Sequence, residues 1–346
     1  MSLFPYLERV AERIDLTPGE AEAAMEVILD GAAGQAEMAA FLMALRMKGE
    51  TAGELVGFAR AMRKMAARVD PGIAGEPLLD TCGTGGDHAG TFNISTISAF
   101  VVAGAGVRVA KHGNRSISSA CGSADLLESM GIEVAIEAAD SARAIREVGI
   151  GFLFAPAVHA AMRHAQPVRR ELRLRTAFNL LGPLTNPAGA DTQVAGAPSE
   201  HAAGLIAGAL AELGLRRGFV VHGADGLDEI TTTGPTLVFG IEKGRVERST
   251  VEPADFGLPV AAARDLAGGD KNVNCGIARA VLSGEPGPAR DIVLANASAA
   301  LVATGKASTW REGVAVAAGS IASGAALAKV QSLQRFTAGI RAARSR

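Results

Sequence analysis

The sequence lacks the features that mark several large classes of protein. Its formal net charge is −2, so it has no excess of lysine and arginine with which to bind nucleic acid. Aromatic residues make up only 4% of the chain while 42 residues are glycine and alanine is abundant, which favours close-packed helices over an aromatic-rich β-sandwich. The three cysteines lie far apart and form no C-x-x-C pair, which argues against zinc and redox motifs and fits a reducing compartment.

Long apolar segments are also missing. The longest ones, at 98–107 and 314–328, are shorter than the roughly 20 residues that a membrane-spanning helix needs, and both are rich in small residues. The first residues are charged and contain no apolar core of a secretory signal. We therefore expect a cytoplasmic protein without membrane contact, and 346 residues are enough for a large core and two domains.

Residues 5–70 show apolar positions at spacings of three and four, which predicts four helices, at 5–14, 17–30, 35–47 and 51–65. Thr17 with Glu20, and Thr51 with Glu54, have the spacing of capping boxes. Residues 71–77 have the composition of a linker.

Strand and helix patterns alternate after the linker, which predicts an α/β fold with a mostly parallel sheet. The predicted strands lie at 78–82, 107–110, 133–136, 150–154, 193–195 and 218–222, followed by a hairpin of 236–241 with 245–251. We expect one helix to carry His159 and His164, and a short helix to begin with Pro167 at its first position. Residues 270–340 are predicted to form alanine-rich helices.

Two neighbouring strands of this pattern end in segments with phosphate-binding character. The glycine loop (83–87, GTGGD) follows the first strand, and its glycines allow positive φ and close approach of backbone N–H groups to a ligand. The next helix opens at 93–96 with hydroxyl side chains, and a helix N-terminus attracts anions. The basic segment (111–123, KHGNRSISSACGS) follows the second strand. Because ligands bind at the carboxyl edge of parallel sheets, both segments could face one phosphate-bearing ligand.

The glycine loop alone is weak evidence, since a glycine-rich turn after a strand can be only a tight turn. It matches neither G-x-G-x-x-G nor the P-loop pattern. The two segments lie about 28 residues apart, the length of one βα unit, and this pairing favours the phosphate site.

Asp228 and Glu229 are a candidate metal site. A diphosphate carries several negative charges, and Mg²⁺ prefers one or two carboxylates together with phosphate oxygens and water. The pair follows a predicted strand and a glycine turn, and Ser95 could add a hydroxyl ligand. An isolated acidic pair is more often a solvated turn, but the position of this pair favours a metal.

Two cations are further candidates. Lys111 would act as a flexible point charge toward phosphate, with a surface lysine as the alternative. The planar guanidinium of Arg169 suits a carboxylate ligand, and an ion pair with Glu171 or Glu128 is equally compatible with the spacing.

Six histidines are present, and a lone histidine is more often structural than functional. His112 and His159 could border an acceptor site. We treat the other four as structural: His88, His164, His201 and His222.

Six motifs together resemble the anthranilate phosphoribosyltransferase family over essentially the whole chain. They are GTGGD at 83–87, FNISTxS at 92–98, KHGNRSxSSxxGSAD at 111–125, FLFAPxxHxAM at 152–162, PVRRELxxRTxFNLLGPLTNPA at 167–188 and the acidic pair at 228–229. The resemblance implies transfer of the phosphoribosyl group of 5-phosphoribosyl 1-diphosphate to the amine of anthranilate, with release of diphosphate, in tryptophan biosynthesis.

The resemblance also implies an architecture. It has a helical domain over 1–70, with helices from about 160–190 packed on it, and an α/β domain over 75–158 and 191–346. It further implies a homodimer through the helical domain.

Site residues follow from the matching motifs. The donor would be held by Gly83, Gly86, Asp87, Thr91, Asn93, Ile94, Ser95, Thr96, Lys111, His112, Gly113, Asn114, Arg115, Ser116, Ile117, Ser118, Ser119 and Ser123. Mg²⁺, two ions per subunit, would be held by Ser95, Asp228 and Glu229. Anthranilate would be held by Gly83, Asn114 and Arg169, with His112 and His159 along its path.

The expected chemistry needs no obligate nucleophile or general base, because an aromatic amine is uncharged near neutral pH. The barrier lies in departure of diphosphate as the sugar becomes oxocarbenium-like. Two alternatives are a pyrimidine nucleoside phosphorylase of the same fold and a nucleic-acid-binding relative without transferase activity. The two phosphate segments and the acidic pair disfavour the first, and the balanced charge disfavours the second.

Overall fold

The chain begins with four helices, whose starts are set by local hydrogen bonds. A computed structural model describes residues 2–87, 89–115 and 120–344. The first four helices are α1 (Phe4–Ala11), α2 (Pro18–Leu29), α3 (Gln35–Lys48) and α4 (Ala52–Met65). Both predicted capping boxes are confirmed: Glu20 N donates to Thr17 Oγ1 at 3.3 Å, and Glu54 N donates to Thr51 Oγ1 at 3.2 Å.

A seven-stranded sheet follows the helices. Its strands are β1 (Leu78–Asp80), β2 (Arg108–Gly113), β3 (Ile150–Phe154), β4 (Thr192–Gly196), β5 (Arg217–Gly223), β6 (Thr236–Glu242) and β7 (Arg245–Val251). The spatial order is β3-β2-β1-β4-β5-β6-β7. The first five strands in that order pair in parallel, and β6 and β7 form the antiparallel hairpin, so the prediction of a mostly parallel sheet is confirmed.

Further helices lie between the strands in the chain and after the last strand. They are α5 (Ile94–Gly104), α6 (Ser123–Ser129), α7 (Ala138–Glu147), α8 (Ala155–Val158), α9 (Gln166–Leu172), α10 (Glu200–Glu212), α11 (Lys271–Leu282), α12 (Pro288–Ala303), α13 (Trp310–Ala322) and α14 (Ala325–Arg344). The apolar helix α5 is buried along most of its length and packs against α12, α13 and α14, which accounts for the alanine-rich C-terminal third. Among the described residues no single helix is long and apolar enough to cross a membrane, although α13 and α14, bent by 58°, together meet that criterion by length and composition.

Several predicted elements differ in the structure. Residues 133–136 are not a strand: they form an irregular connection between α6 and α7, where Val134 and Ile136 are buried and Glu133 N donates to Thr337 Oγ1 at 3.2 Å. Their alternating apolar pattern reflects packing on the core next to α14 rather than pairing in the sheet. The second strand is longer than predicted, because β2 continues through Gly113 and pairs with β3 as far as Phe154.

The predicted helix around His159 is divided. Helix α8 ends at Val158, a 3₁₀ turn spans Ala160–His164, and His159 occupies the break between them. Helix α9 begins one residue before Pro167, so the proline is its second residue.

The core of the helical region extends beyond α1–α4. Leu45 and Phe58 share one buried cluster with Val168 of α9, Leu184 and Ile206 of α10. Helix α9 also packs against α3. The segment that precedes β4 and the first four helices therefore form one continuous apolar core beside the sheet.

Candidate active site

The site lies at the carboxyl edge of the sheet, where the glycine loop meets the turn after β5. Thr84 N donates to Gly196 O at 3.0 Å, and Gly85 N donates to Asp228 Oδ2 at 2.9 Å. A Cβ atom at Gly83 would lie 2.8 Å from Asp228 Oδ2, which is closer than real Cβ atoms approach a neighbour. The glycine at position 83 is thus what allows the acidic turn to pack on the loop.

The second acidic residue reaches the N-terminus of α5. Glu229 Oε1 accepts a hydrogen bond of 3.2 Å from Ser95 N, in the first turn of the helix that Asn93 precedes. A carboxylate is favoured there because the first N–H groups of a helix have no partner within the helix. Two adjacent carboxylates therefore join the glycine loop to the helix N-terminus, although they lie over a hundred residues away in the sequence.

Lys111 supplies positive charge beneath these carboxylates. Its Nζ is buried, donates to Thr81 O at 2.5 Å and lies 3.4 Å from Ser95 Oγ. It also lies close enough to Glu229 to favour the ionised form of that carboxyl group. The alternative of a surface lysine is wrong.

The acidic groups carry an excess of negative charge. Burial raises the pKa of Asp228, and the nearby Asp87 carboxylate raises it further. Burial likewise raises the pKa of Glu229, with Asp228 as the second cause. A divalent cation bound between these carboxyl groups would relieve their mutual repulsion. Ser95, Asp228 and Glu229 offer oxygen atoms, which are the ligands that Mg²⁺ prefers.

Several of the predicted donor residues face the protein rather than open space. Asn93 uses both ends of its amide, donating to Cys121 O and accepting from Asn274 Nδ2, each at 3.0 Å. The side chains of Ile94 and Thr96 are buried in the first turn of α5. Thr91 bridges to Ala267. The side chains of Asn93, Ile94 and Thr96 are thus directed into the protein, whereas Thr91 uses its backbone for the bridge and keeps a partly exposed side chain.

The basic segment is described in part. Lys111, His112 and Gly113 lie in β2, and Ser123 Oγ donates to Asn114 O at 3.1 Å. Arg115 Nη1 donates to Asp125 at 3.0 Å and its Nη2 to Glu128 at 2.6 Å, so its guanidinium is held by two acidic side chains of α6. Its role in donor binding stays a prediction. Ser116, Ile117, Ser118 and Ser119, and also His88, lie outside the described residues.

Two histidines form a neutral pair beside the strand ends. The rings of His112 and His159 lie 5.1 Å apart, and both side chains are buried. His112 Nδ1 is 3.1 Å from Gly182 O, and the Nε2 atoms of both rings have no partner among the described residues. Burial lowers the pKa of His112 to about 3 and that of His159 to about 4, so both rings are uncharged at neutral pH.

A buried carboxylate fixes the position of His112. Asp80 accepts from His112 N at 3.1 Å and from Asn186 Nδ2 at 2.7 Å, and burial raises its pKa to about 6. Ligand atoms of Asp80, Cys82 and His112 lie within 4.8 Å of one another. Both Asp80 oxygens already accept protein hydrogen bonds, and burial raises the pKa of the Cys82 thiol, so this cluster is a structural network rather than a second metal site.

Arg169 lies on α9 with its guanidinium 5.2 Å from the centre of the Phe178 ring. Burial lowers its pKa. Within the described part of the chain it forms no ion pair, and Glu128 is paired with Arg115 instead, so the predicted alternative of an ion pair with Glu128 or Glu171 is not observed. A partly buried guanidinium without a carboxylate partner fits the binding of an external carboxylate.

Comparison with known proteins identifies the family of the chain. Residues 4–66 match the model of the glycosyl transferase family, helical bundle domain, and residues 75–327 match that of the glycosyl transferase family, a/b domain. The anthranilate phosphoribosyltransferase of Solibacter usitatus is 66% identical over 338 residues, which cover 98% of this chain and 99% of the relative. The chain belongs to the anthranilate phosphoribosyltransferase family.

Solved structures of that family have the same fold. The Thermus thermophilus protein is 42% identical, with a TM-score of 0.90 over 96% of this chain and 98% of that one. The Saccharomyces cerevisiae protein, solved in complex with PRPP and Mg, is 28% identical, with a TM-score of 0.89 over 97% and 98% of the two chains. The same yeast protein has also been solved in complex with 4-fluoroanthranilate. The chain is accordingly an enzyme with the helical-bundle and α/β architecture of this glycosyltransferase family.

Sequence reasoning did not assign Arg175, Asp80 or Asn186 to the site. Arg175 Nη1 donates to Gly85 O at 3.0 Å and to Gly86 O at 2.9 Å, although the two segments are about ninety residues apart. The arginine lies inside the motif at 167–188, so its position was visible in the sequence, but nothing in the local pattern identifies backbone carbonyls as its partners. Asp80 could have been noticed as a carboxylate at the end of an apolar strand.

Proposed function

We propose that this enzyme transfers the phosphoribosyl group of 5-phosphoribosyl 1-diphosphate to the amine of anthranilate, giving N-(5-phosphoribosyl)anthranilate and diphosphate, in tryptophan biosynthesis. The observation that carries the proposal is the junction of the glycine loop and the N-terminus of α5 through Asp228 and Glu229. This junction places backbone N–H groups, a buried lysine and two carboxylates around one position.

The donor diphosphate binds at this junction. Free N–H groups of the glycine loop and of the first turn of α5 donate to its oxygens, and Lys111 adds a buried positive charge. Charge grows on the leaving group as the bond to C1 breaks, so donors that are fixed before the reaction favour the transition state over the ground state.

Mg²⁺ is the cofactor, held by Ser95, Asp228 and Glu229, with two ions per subunit. When bound, it neutralises charge on the departing diphosphate. The excess of negative charge at Asp87, Asp228 and Glu229 supports more than one cation, and calorimetric titration with Mg²⁺ in the presence of inorganic diphosphate measures the number of ions.

The acceptor binds on the side of Arg169 and the histidine pair. Arg169 binds the carboxylate of anthranilate, and the amine lies beside the neutral rings of His112 and His159. When Nδ1 of His112 donates to Gly182 O, its Nε2 is the acceptor nitrogen, which can accept a hydrogen bond from the amine and orient it toward C1 without an obligate general base. Gly83 and Asn114 complete this acceptor site.

The decisive assay follows loss of anthranilate fluorescence in the presence of donor and Mg²⁺. The proposal predicts a fluorescence decrease that depends on both additions. Phosphorolysis of thymidine without turnover of anthranilate would instead identify a nucleoside phosphorylase. Salt-sensitive DNA binding without either activity would identify a non-catalytic relative.

We further propose a cytoplasmic homodimer through the helical domain, without nucleic-acid or membrane partners. Phe4 of α1 is 59% exposed and Met47 of α3 is 67% exposed, and the two helices pack against each other. A double substitution of these two residues by serine should shift the sedimentation coefficient toward that of a monomer.

A further inference from the structure

We propose that Arg175 is a positioning residue, which turns the last two N–H groups of the glycine loop toward the diphosphate of the donor. The inference deepens the proposed function and rests on it. It follows from how the four consecutive peptide groups that connect residues 83–87 are held.

The first two peptide groups are held by their N–H groups. Thr84 N donates to Gly196 O at 3.0 Å, and Gly85 N donates to Asp228 Oδ2 at 2.9 Å. Both donors are therefore used inside the protein and are not available to a ligand.

The last two peptide groups are held from the opposite side. Arg175 Nη1 donates to Gly85 O at 3.0 Å and to Gly86 O at 2.9 Å. A trans peptide group is planar, and its N–H points away from its C=O. Attracting these two carbonyls toward Arg175 therefore turns the N–H groups of Gly86 and Asp87 in the opposite direction, and within the described residues neither N–H donates a hydrogen bond.

The contact between the Arg175 guanidinium and the loop depends on the glycines at positions 85 and 86. Gly85 and Gly86 have φ of 63° and 74°, in the left-handed region that favours glycine. A Cβ atom at Gly86 would collide with Arg175 Nη1, so the guanidinium occupies the space that a side chain would need. Arg175 Nη2 is buried without a partner among the described residues, so the protein supplies nothing else to hold that end of the group.

Arg175 is itself held by the helical region. Arg46 of α3 donates from Nη1 to the carbonyl of Arg175, and Asn179 Oδ1 accepts from Thr176 N at 2.9 Å. The direction in which the loop presents its N–H groups thus depends in part on α3, which holds the backbone of Arg175.

The test compares Arg175→Ala and Arg175→Lys with Arg170→Ala, a control at an exposed arginine on α9. We expect Arg175→Ala to raise the KM for the donor about tenfold or more and to leave the KM for anthranilate within about twofold, because two charge-assisted hydrogen bonds to the loop are lost. Arg175→Lys should recover only part of the loss, since lysine keeps the charge without the reach and planarity of the guanidinium. The control should match the wild type.

A second measurement separates this inference from the proposed function. Binding of magnesium diphosphate, measured by calorimetry, should weaken about tenfold in Arg175→Ala and in Gly86→Ala, whichever acceptor the enzyme uses. An inactive wild type with anthranilate would refute the proposed function alone. Unchanged diphosphate affinity, or an equal rise of both KM values, would refute the role of Arg175, and the melting temperature of each variant identifies any that fails to fold.

Discussion

The proposed site has two halves that differ in electrostatics. The donor half consists of the glycine loop, the N-terminus of α5, Lys111 and the acidic pair Asp228 and Glu229, and it is charged. The acceptor half consists of His112, His159, Arg169 and Phe178, and burial keeps its two histidines neutral. The donor half gathers several charged groups of both signs, whereas the acceptor half combines a single cation, Arg169, with two uncharged rings.

This difference matches the chemistry that each half must perform. The donor half must stabilise charge that grows on a leaving group, so fixed donors, a cation and metal-binding carboxylates belong there. In the proposed reaction the acceptor half binds an amine that is already nucleophilic, and a protonated histidine beside that amine would repel the developing positive charge. Substitutions in the donor half should therefore lower kcat strongly, whereas substitutions in the acceptor half should mainly raise the KM for the acceptor.

The largest effect is expected for the acidic pair. Replacing Asp228 by Asn together with Glu229 by Gln should lower kcat by about a hundredfold or more and weaken the dependence on Mg²⁺, because the carboxylate ligands are lost. Initial rates across a magnesium titration measure both effects. Glu247→Gln, at an exposed position on β7, is the control. Turnover that stays at the wild-type level at every magnesium concentration would show that the pair does not serve the metal.

Lys111 should have the next largest effect. Lys111→Met should lower kcat at least about tenfold, because a cation near the leaving group is lost and Glu229 is left without its compensating charge. Lys329→Met is the control: Lys329 is partly buried and, like Lys111, donates from Nζ to a backbone carbonyl, Val148 O, at 2.6 Å. If both substitutions reduce kcat equally, the effect of Lys111 is structural rather than catalytic.

Arg169 should separate the two halves. Arg169→Ala should raise the KM for anthranilate about tenfold while the KM for the donor changes little, since its guanidinium has no carboxylate partner among the described residues and is free for the acceptor. Steady-state kinetics with each substrate varied in turn measures the ratio. Arg170→Ala controls for the loss of a charge on the same helix, and an equal rise of both KM values would count against an acceptor-side role.

The order and type of most elements could be predicted from sequence, because capping signals and periodicity are local. The capping boxes at Thr17 and Thr51 are examples, as are the glycine loop and the start of α5 after Asn93. The strand predicted at 133–136 was wrong for a physical reason: an alternating pattern shows which side chains are buried, but whether a backbone joins the sheet depends on which edge is available.

The partners of individual site residues could be predicted less well. Arg175 binds carbonyls that only the tertiary fold brings within reach, and the pairing of Arg115 with Asp125 and Glu128 was not indicated by the local pattern. The depressed pKa values of His112 and His159 depend on burial by segments from elsewhere in the chain, whereas the hydrogen bond to the Gly182 carbonyl acts in the opposite direction and raises the pKa of His112. Local patterns identified which residues gather at the sheet edge, whereas tertiary packing decides which of them face a ligand.

The smallest effect on activity is expected from the histidine pair, and it is best measured through stability. The pKa of His159 is about 4 in the folded protein, below its ordinary value of 6.5, so on acidification the unfolded chain takes up a proton before the folded one does. The free energy of unfolding should therefore decrease as the pH falls from about 6.5 toward 4, by roughly 1–2 kcal/mol at about pH 5. His159→Asn should remove this part of the decrease and change kcat at about pH 7 by less than about threefold, because the ring is already neutral there.

Urea unfolding at two pH values measures this contribution, with His201→Asn as the control at an exposed site. His159 is the better choice because the backbone N–H of His112 donates to Asp80, so a substitution of His112 could also disturb that carboxyl group. The pKa of Asp80 is raised to about 6, so the folded protein binds a proton there more tightly than the unfolded chain does, and acidification stabilises the fold through this group. If His159→Asn leaves the acid dependence of stability unchanged but lowers kcat strongly, the ring takes part in proton transfer. The acceptor half would then do chemistry of its own, and the contrast between a catalytic donor half and an acceptor half that only binds would not hold.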